Sequence, residues 1–400
     1  MSLAPSKPIA IVTPWWSEQC TGGAEFLARE IAFHLLERGR TVEVLTTCGR
    51  NAFCDWAEDF YSPGAVMENG LTVRRFSLHR RNEGRFAQLY EALNDGRVLS
   101  PLDEQDFLRN SVNSRSLCAF IEEHRDQYQF CFLPYLYGTT YFGVLAAEGR
   151  AIIVPCLHNE PIAYLQVFQR MMASAQGLWF LSEAEYYFAR ALYPIQQAAA
   201  RVIGAGMDFC GRGEGGRFRS RHGLEGPYLL FAGRRVPGKG SGLLLRYFVR
   251  FSESHPEWRL VLAGPGDRVS AGEMSASVLD LGFVEKQQLW DAMAGATVFC
   301  QPSRYESFSY VLMEAWMQGA PALVNAQCEV LRWQCELSGG GLWFGDEREF
   351  ERALVYLRSH PEEAARMGRQ GRDYVERNFR WSDVMDRAEA LLAECEGRRK

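Results

Sequence analysis

The stretch from Ser303 to Met317 reads S-R-Y-E-S-F-S-Y-V-L-M-E-A-W-M. It follows a short apolar run, Thr297 to Gln301, suited to a buried strand, and it opens an apolar helix that ends near Gly319. A strand that passes through a polar loop into a helix is half of a βαβ unit. Seven residues separate Glu306 from Glu314. With Glu306 in the loop and Glu314 two turns into the helix, both carboxylates can face one ligand. The first helical turn leaves amides of the Ser307–Tyr310 stretch unpaired, and its dipole end is positive. Anionic groups bind there readily. The stretch therefore offers a phosphate cradle with a carboxylate on either side. A ligand with phosphates and hydroxyls, such as a nucleotide sugar, fits that chemistry; two solvated surface glutamates are the plainer alternative.

Working outward, the second half alternates strand and helix. Tyr228 to Ala232 is a strand, followed by a glycine-flanked loop, Gly233 to Gly240. A helix from Leu243 to Glu253 and a strand from Leu260 to Ala263 come next, the strand ending in Gly264-Pro265-Gly266. The alternation continues with Val278 to Leu281, Gly282-Phe283-Val284 and a helix from Lys286 to Met293. A last strand, Ala322 to Asn325, precedes helices to the end. This pattern predicts a doubly wound parallel sheet. Arg234 and Lys239 share the loop after the first of these strands. Two fixed cations there would neutralise a diphosphate, or would simply decorate an exposed basic loop. The glycine spacing is not that of a Walker A loop.

The first half repeats the architecture. Ile9 to Thr13 suits a buried parallel strand, and Thr21-Gly22-Gly23 leads into a helix with apolar residues at Leu27, Ile31 and Leu35. Arg38-Gly39 stops it before a strand from Thr41 to Thr46. Gly22 and Gly23 either make a tight turn or let backbone amides approach a ligand. They do not form the dinucleotide fingerprint, so no nicotinamide cofactor is indicated. Asn69-Gly70 between apolar runs predicts a hairpin turn. The stretch Arg80 to Asn113 reads as helices and loops at the domain edge. Further strands fall at Phe130 to Leu133, Ala151 to Pro155, Gly177 to Leu181 and around Val202-Ile203. Ser182 and Glu185 read as a capping box. His158 lies just past a strand end, where open parallel sheets bind ligands, with Asn159 and Glu160 beside it; a satisfied core or surface histidine is the alternative. The Gly- and Arg-rich segment Gly211 to Gly226 reads as an interdomain linker.

Composition sets the limits. Four hundred residues exceed one hydrophobic core and predict two domains, 1–207 and 208–380, with a terminal helix in 381–400. A net charge of -5 argues against wholesale nucleic-acid binding. The cluster Arg74, Arg75, Arg80, Arg81 and Arg85 reads as a solvated face that could meet an anionic acceptor or lipid headgroups. The 11 cysteines include no CxxC pair, which suits reduced thiols packed as small apolar groups. The N-terminus lacks the apolar core of a signal peptide, and no apolar run is long enough to span a bilayer. The expectation is a cytoplasmic protein whose membrane contact, if any, is peripheral. No D-x-D pair occurs, so Arg234, Lys239 and the helix dipole would do the work of a metal; no metal and no cofactor is expected.

Taken together, T-G-G-A-E at 21–25, H-N-E at 158–160, G-A-G-M-D at 204–208, A-G-R-R-V-P-G-K-G at 232–240, A-G-P-G at 263–266, G-F-V at 282–284 and P-S-R-Y-E-S-F-S-Y-V-L-M-E-A-W-M-Q-G-A-P-A at 302–322 carry a resemblance. In their order and spacing the chain resembles the family 4 retaining glycosyltransferases of GT-B fold. The resemblance implies an α/β protein with two Rossmann-like doubly wound domains facing across a cleft. It implies transfer of a hexose-type sugar from a nucleotide diphosphate sugar to a carbohydrate or lipid-linked acceptor, with retention. By resemblance, Arg234 and Lys239 hold the diphosphate, Glu306 contacts the sugar, and Ser307, Phe308 and Ser309 offer amides. Glu314 would take the ribose hydroxyls, Gly264 and Val284 would line the donor site, Gly22 and Gly23 would face the phosphates or acceptor, and His158 would contact the transferred sugar. The final helix, roughly Ser382 to Glu394, would cross back onto the first domain. Ser309 stands where many relatives have glycine, which narrows the expected sugar pocket, and Asn159 where aspartate is frequent. The rival readings are a nucleotide-sugar 2-epimerase and a non-catalytic nucleotide-sugar-binding protein.

Overall fold

The computed structural model describes residues 7–18, 22–209, 211–266 and 277–398. The chain divides into two compact units, one ending at Ala205 and regaining the segment from Val384 onward, the other running from Gly206 to Asp383.

Unit 1 contains β1 (Ile9–Val12), α1 (Gly23–Glu37), β2 (Val42–Thr47), β3 (Gly64–Glu68) and β4 (Leu71–Phe76). Three helices follow: α2 (Glu83–Asn94), α3 (Pro101–Arg109) and α4 (Arg115–His124). The alternation then resumes with β5 (Gln129–Phe132), α5 (Gly138–Ala146), β6 (Ala151–Ile153) and α6 (Val167–Ala173). The unit's sheet closes with β7 (Gly177–Phe180), α7 (Glu183–Leu192) and β8 (Ala199–Val202). The sheet order is β3-β4-β2-β1-β5-β6-β7-β8, all parallel except the edge hairpin β3–β4. Asn69 and Gly70 both adopt positive φ in that hairpin, as a two-residue primed turn requires. The strands β1, β2, β5 and β7 are buried at every position, because helices cover both faces of a parallel sheet.

Unit 2 contains α8 (Gly215–His222), β9 (Tyr228–Ala232), α9 (Ser241–Ser254), β10 (Arg259–Ala263) and β11 (Val278–Gly282). Next come α10 (Lys286–Gly295), β12 (Val298–Gln301), α11 (Tyr310–Met317), β13 (Ala322–Asn325) and α12 (Glu329–Ser338). The strand β14 (Gly341–Phe344) and the helices α13 (Glu347–Ser359), α14 (Pro361–Asn378) and α15 (Trp381–Gly397) complete the chain. The sheet order is β11-β10-β9-β12-β13-β14, parallel throughout.

Two sequence expectations give way here. Ala322–Asn325 is not the last strand, since β14 pairs with it in register from Gly341 to Phe344. The segment Gly211 to Gly226 is not a linker; it holds α8, whose Phe218 is buried and whose approach packs against α10. The glycines there serve contact rather than freedom: a Cβ on Gly213 would lie 2.0 Å from the Trp290 carbonyl oxygen, and one on Gly215 2.5 Å from the Gly295 Cα.

The C-terminal part of α15 is tied into unit 1. Arg38 pairs with Asp386 at 2.7 Å, Arg201 with Glu394 at 2.7 Å, and Gln129 Nε2 donates to the Leu392 carbonyl at 3.3 Å. The nine described cysteines are all free, and seven of them are buried. Among the described residues no helix is long and apolar enough to cross a membrane.

Candidate active site

In unit 2 the strand order reverses between β9 and β12, which are direct neighbours. At such a switch point the loops leaving the two strands part to opposite faces, and a crevice opens beyond their carboxyl ends. The loop after β9 carries Arg234 and Lys239; the loop after β12 carries Glu306 to Ser309. The two loops hold each other. The Arg304 amide donates to the Gly238 carbonyl at 3.2 Å. Gly240, at φ 72°, lies so close that a Cβ would sit 2.4 Å from the Pro302 carbonyl oxygen. Only glycine combines that backbone angle with that approach.

Across this contact Lys239 Nζ donates to Glu306 Oε1 at 2.6 Å. Gln301 Nε2, from the end of β12, donates to the same oxygen at 2.9 Å and to Ser303 Oγ at 3.0 Å. Glu306 is buried and the lysine side chain half-buried. Two residues 67 positions apart in sequence are therefore brought into one charge-assisted pair. Beside them begins α11. Among the described residues no protein acceptor pairs with the amides of Ser307, Phe308, Ser309 or Val311. The Phe308 ring turns away into the interior against Phe379 and Tyr310, at 4.9 and 5.3 Å between centroids. Its backbone is what the loop presents. The arrangement joins a cation, a carboxylate and a set of bare amides, which can hold an anion and orient a hydroxyl-bearing group next to it.

Ser309 caps α11 at φ 77°, ψ 81°, without a side-chain cap bond, and its buried Oγ makes no hydrogen bond to the described protein. The left-handed conformation explains why glycine suits this position. Ser309→Gly is expected to raise the stability of unit 2 by about 1 kcal/mol, since it removes the Cβ penalty. Urea denaturation measures it, and an unchanged or lowered midpoint contradicts the strain assignment.

The same kink corrects the placement of Glu314. Helical geometry starts only at Tyr310, so Glu314 sits just past the first turn rather than two turns in. It is half-buried, and burial raises its carboxyl pKa against the opposing pull of Lys286 at the start of α10. Val284 lies half-buried in the loop that joins β11 to that helix.

The adjoining loops are fixed by a pair absent from the sequence reading. Arg235, not Arg234, turns inward and forms an ion pair with Asp280 of β11, both side chains being almost fully buried. Arg235 Nη2 also donates to the Gly264 carbonyl at 3.0 Å, and its amide to the Pro265 carbonyl at 2.9 Å. Asp280 Oδ1 accepts the Gly282 amide at 3.0 Å. Gly264 has a packing reason to be glycine: a Cβ would stand 2.1 Å from the Gly233 carbonyl oxygen. Arg234 is half-buried in the same loop, adjacent to the pair.

In unit 1 the residues of interest sit at the carboxyl ends of β1 and β6. Gly22 and Gly23 open α1 beyond β1, while Thr21 lies outside the described residues. A Cβ on Gly23 would meet no protein atom, so packing does not demand glycine there. His158 follows β6, with Nδ1 3.3 Å from Glu160 Oε1, which also accepts the Tyr135 hydroxyl at 3.1 Å. A carboxylate partner places the proton of the neutral ring on Nδ1.

The basic cluster is not the solvated face or anion patch the sequence suggests. Arg74 pairs with Glu43 at 2.7 Å, Arg75 with Glu68 at 2.7 Å, Arg81 with Glu83 at 3.2 Å, and Arg85 with Asp103 and Asp106. Three of them also lie over aromatic rings, of Phe120, Tyr61 and Trp56. Four of the five are thus engaged with partners of their own chain, and of the five Arg80 is the exposed one.

Residues 216–374 match the family model described as glycosyl transferases group 1. The match lies wholly within unit 2. A GDP-mannose-dependent monoacylated alpha-(1-6)-phosphatidylinositol monomannoside mannosyltransferase of Corynebacterium glutamicum is 25% identical over 178 residues, 42% of this chain and 47% of that protein. The chain spans less than half the length of the curated relatives it matches first. Sucrose-phosphate synthase of Thermosynechococcus elongatus superposes over 98% of this chain and 100% of its own, with a TM-score of 0.70 at 16% identity. HepE of Anabaena, solved with UDP-glucose, covers 97% of this chain and 100% of its own, with a TM-score of 0.67 at 16% identity. The whole chain thus has the GT-B fold, and the matched glycosyltransferase segment contains the Lys239–Glu306 pair and the start of α11.

Proposed function

We propose that this protein is a retaining, metal-independent glycosyltransferase that moves a hexose-type sugar from a nucleoside diphosphate sugar to an acceptor hydroxyl. The observation that carries the reading is the Lys239–Glu306 pair at the β9/β12 switch point, beside the bare amides that open α11. In the free protein Glu306 holds the lysine in place. A bound diphosphate offers Lys239 a stronger anionic partner and frees Glu306 for sugar hydroxyls. Arg234 adds a second cation, and the amides of Ser307 to Ser309 and Val311 supply neutral donors.

The chemistry is charge stabilisation. As the glycosidic bond breaks, negative charge gathers on the leaving diphosphate, and prearranged cations and amides stabilise it without reorganisation. Glu314 takes the ribose hydroxyls, the Val284 backbone faces the base, and unit 1 supplies the acceptor side, with His158 on the transferred sugar and Gly22 and Gly23 at the phosphates or acceptor. Retention proceeds by front-face attack of the acceptor; Glu306 as a covalent nucleophile is the less favoured route. GDP-mannose in the relative's name and UDP-glucose in the solved neighbour make GDP and UDP the bases to test, and the lipid-linked acceptor of that relative makes carbohydrate or lipid-linked acceptors the class to try. Surface polysaccharide, lipopolysaccharide or other glycoconjugate assembly is the context such a reaction would serve.

The test is a thermal-shift screen of UDP, GDP and their sugars, followed by product analysis. A ligand at 100 times its Kd stabilises by about 2.7 kcal/mol, so the cognate nucleotide stands out. Loss of every nucleotide effect overturns the reading, and an epimerised donor formed without acceptor replaces it with the 2-epimerase. Because two side-chain cations and a helix N-terminus do the neutralising, transfer is expected to keep its full rate in excess EDTA. A loss restored by Mg2+ contradicts metal independence.

A further inference from the structure

Glu185 is the most deeply buried carboxylate near the β6 end, and none of the roles above uses it. It stands in the first turn of α7, where Ser182 Oγ accepts its amide at 3.2 Å as the helix cap. Its carboxylate reaches away from solvent and is spent on backbone. Oε2 accepts the Leu181 amide at the end of β7, and Oε1 accepts the Leu157 amide in the loop after β6; the two bonds are 2.5 and 2.6 Å. One carboxylate therefore clips together the loops leaving two neighbouring strands. The clipped amide immediately precedes His158, and Cys156 on its other side is held at φ 51°. A left-handed non-glycine residue persists only where its surroundings over-determine it, and the Glu185 bond is one of those surroundings.

We infer that Glu185 is a positioning residue that holds the His158 loop through the Leu157 amide and makes the placement of His158 depend on pH. This rests on the proposed contact of His158 with the transferred sugar. The ionised carboxylate accepts from both amides at once. A proton on either oxygen faces an N–H with an O–H and removes one acceptor site. The ionisable groups facing it are His158, whose positive form favours the carboxylate, and Cys156, whose thiol it disfavours ionising. Burial outweighs the amide bonds and lifts the Glu185 pKa from 4.5 to about 7. The clip thus closes as pH rises through about 7. The stability consequence has the opposite sign. A raised folded-state pKa favours the folded state fully below 4.5, and that contribution is lost between 4.5 and about 7.

The experiment pairs NMR of the full chain with kinetics. In the wild type the Leu157 amide resonance is expected to titrate with a midpoint near 7, and Glu185→Gln is expected to abolish that titration. The variant is expected to lower kcat by roughly 10- to 100-fold through misplacement of the loop, to flatten the rise of kcat across neutral pH, and to leave nucleotide affinity, a unit 2 property, unchanged. Ser182→Ala is the structural control: it removes the cap, keeps the carboxylate, and is expected to retain the pH profile. A Leu157 amide that does not titrate, or a Glu185→Gln enzyme with the wild-type pH profile, overturns the inference. If Glu185→Gln fails to fold, the wild-type titration alone decides. A wild type that transfers no sugar while its Leu157 amide titrates overturns the proposed function and leaves the clip standing.

Discussion

Replacing Lys239 by alanine is expected to lower kcat/KM for sugar transfer by about 100- to 1000-fold, the usual effect of removing one preorganised group that meets developing charge. Lys239 is held beside the site by Glu306 at 2.6 Å before the donor arrives, so it has only to exchange one anionic partner for another when the diphosphate binds. Its loss should fall on kcat as well as KM, because the diphosphate carries more charge as it leaves than when it binds. Glu306→Gln is expected to act on the same element. The double variant should therefore be less impaired than the product of the two single effects, as coupled residues are. Steady-state kinetics with the donor identified by thermal shift measures both. Independent, multiplicative effects would mean that the pair does not act as a unit in transfer.

The second large effect is on stability. Asp280→Asn is expected to destabilise unit 2 by about 3 to 5 kcal/mol, because it leaves the Arg235 guanidinium buried without its counter-charge. The same change loosens the Arg235 side chain, whose Nη2 donates to the Gly264 carbonyl, and weakens the acceptor of the Gly282 amide. Residual folded protein should accordingly show a raised KM for donor. Replacing both partners with apolar residues, as in Arg235→Met with Asp280→Leu, should restore much of the stability, since the desolvation penalty goes with the charges. Urea denaturation followed on unit 2 tryptophans such as Trp258 and Trp316, both fully buried, reads the transition. A loss below 1 kcal/mol for Asp280→Asn would show that water or another anion serves Arg235.

The sequence made the sheets legible because parallel strands buried on both faces leave unbroken apolar runs, as at Ile9 and Tyr228. It concealed β14, a four-residue edge strand behind Gly339 and Gly340, and α8, a helix with one buried apolar side chain and glycines on its packing side. Among site residues, Lys239 and Glu306 could be named from loop position and residue type, but their contact spans 67 positions and only the fold supplies it. Gln301 and Asp280 left a signal, each a polar residue in an apolar strand, and the structure gives each a charged partner. Arg235 could not be told from Arg234, because which of two adjacent arginines turns inward depends on where β11 places Asp280. Glu185 was visible as a cap, but the burial of its carboxylate was not. The arginines at 74, 75, 81 and 85 misled for the same reason: Glu43, Glu68, Trp56 and Asp103, which engage them in turn, lie elsewhere along the chain.

On donor binding Lys239 is expected to exchange Glu306 for the diphosphate. A crystal structure of the protein soaked with its nucleoside diphosphate sugar tests it most directly. The expected density places the diphosphate at the amides of residues 307 to 311, with Lys239 Nζ moved from Glu306 onto a phosphate oxygen and the sugar against the freed carboxylate. A donor lodged elsewhere, with the Lys239–Glu306 bond intact, would contradict it.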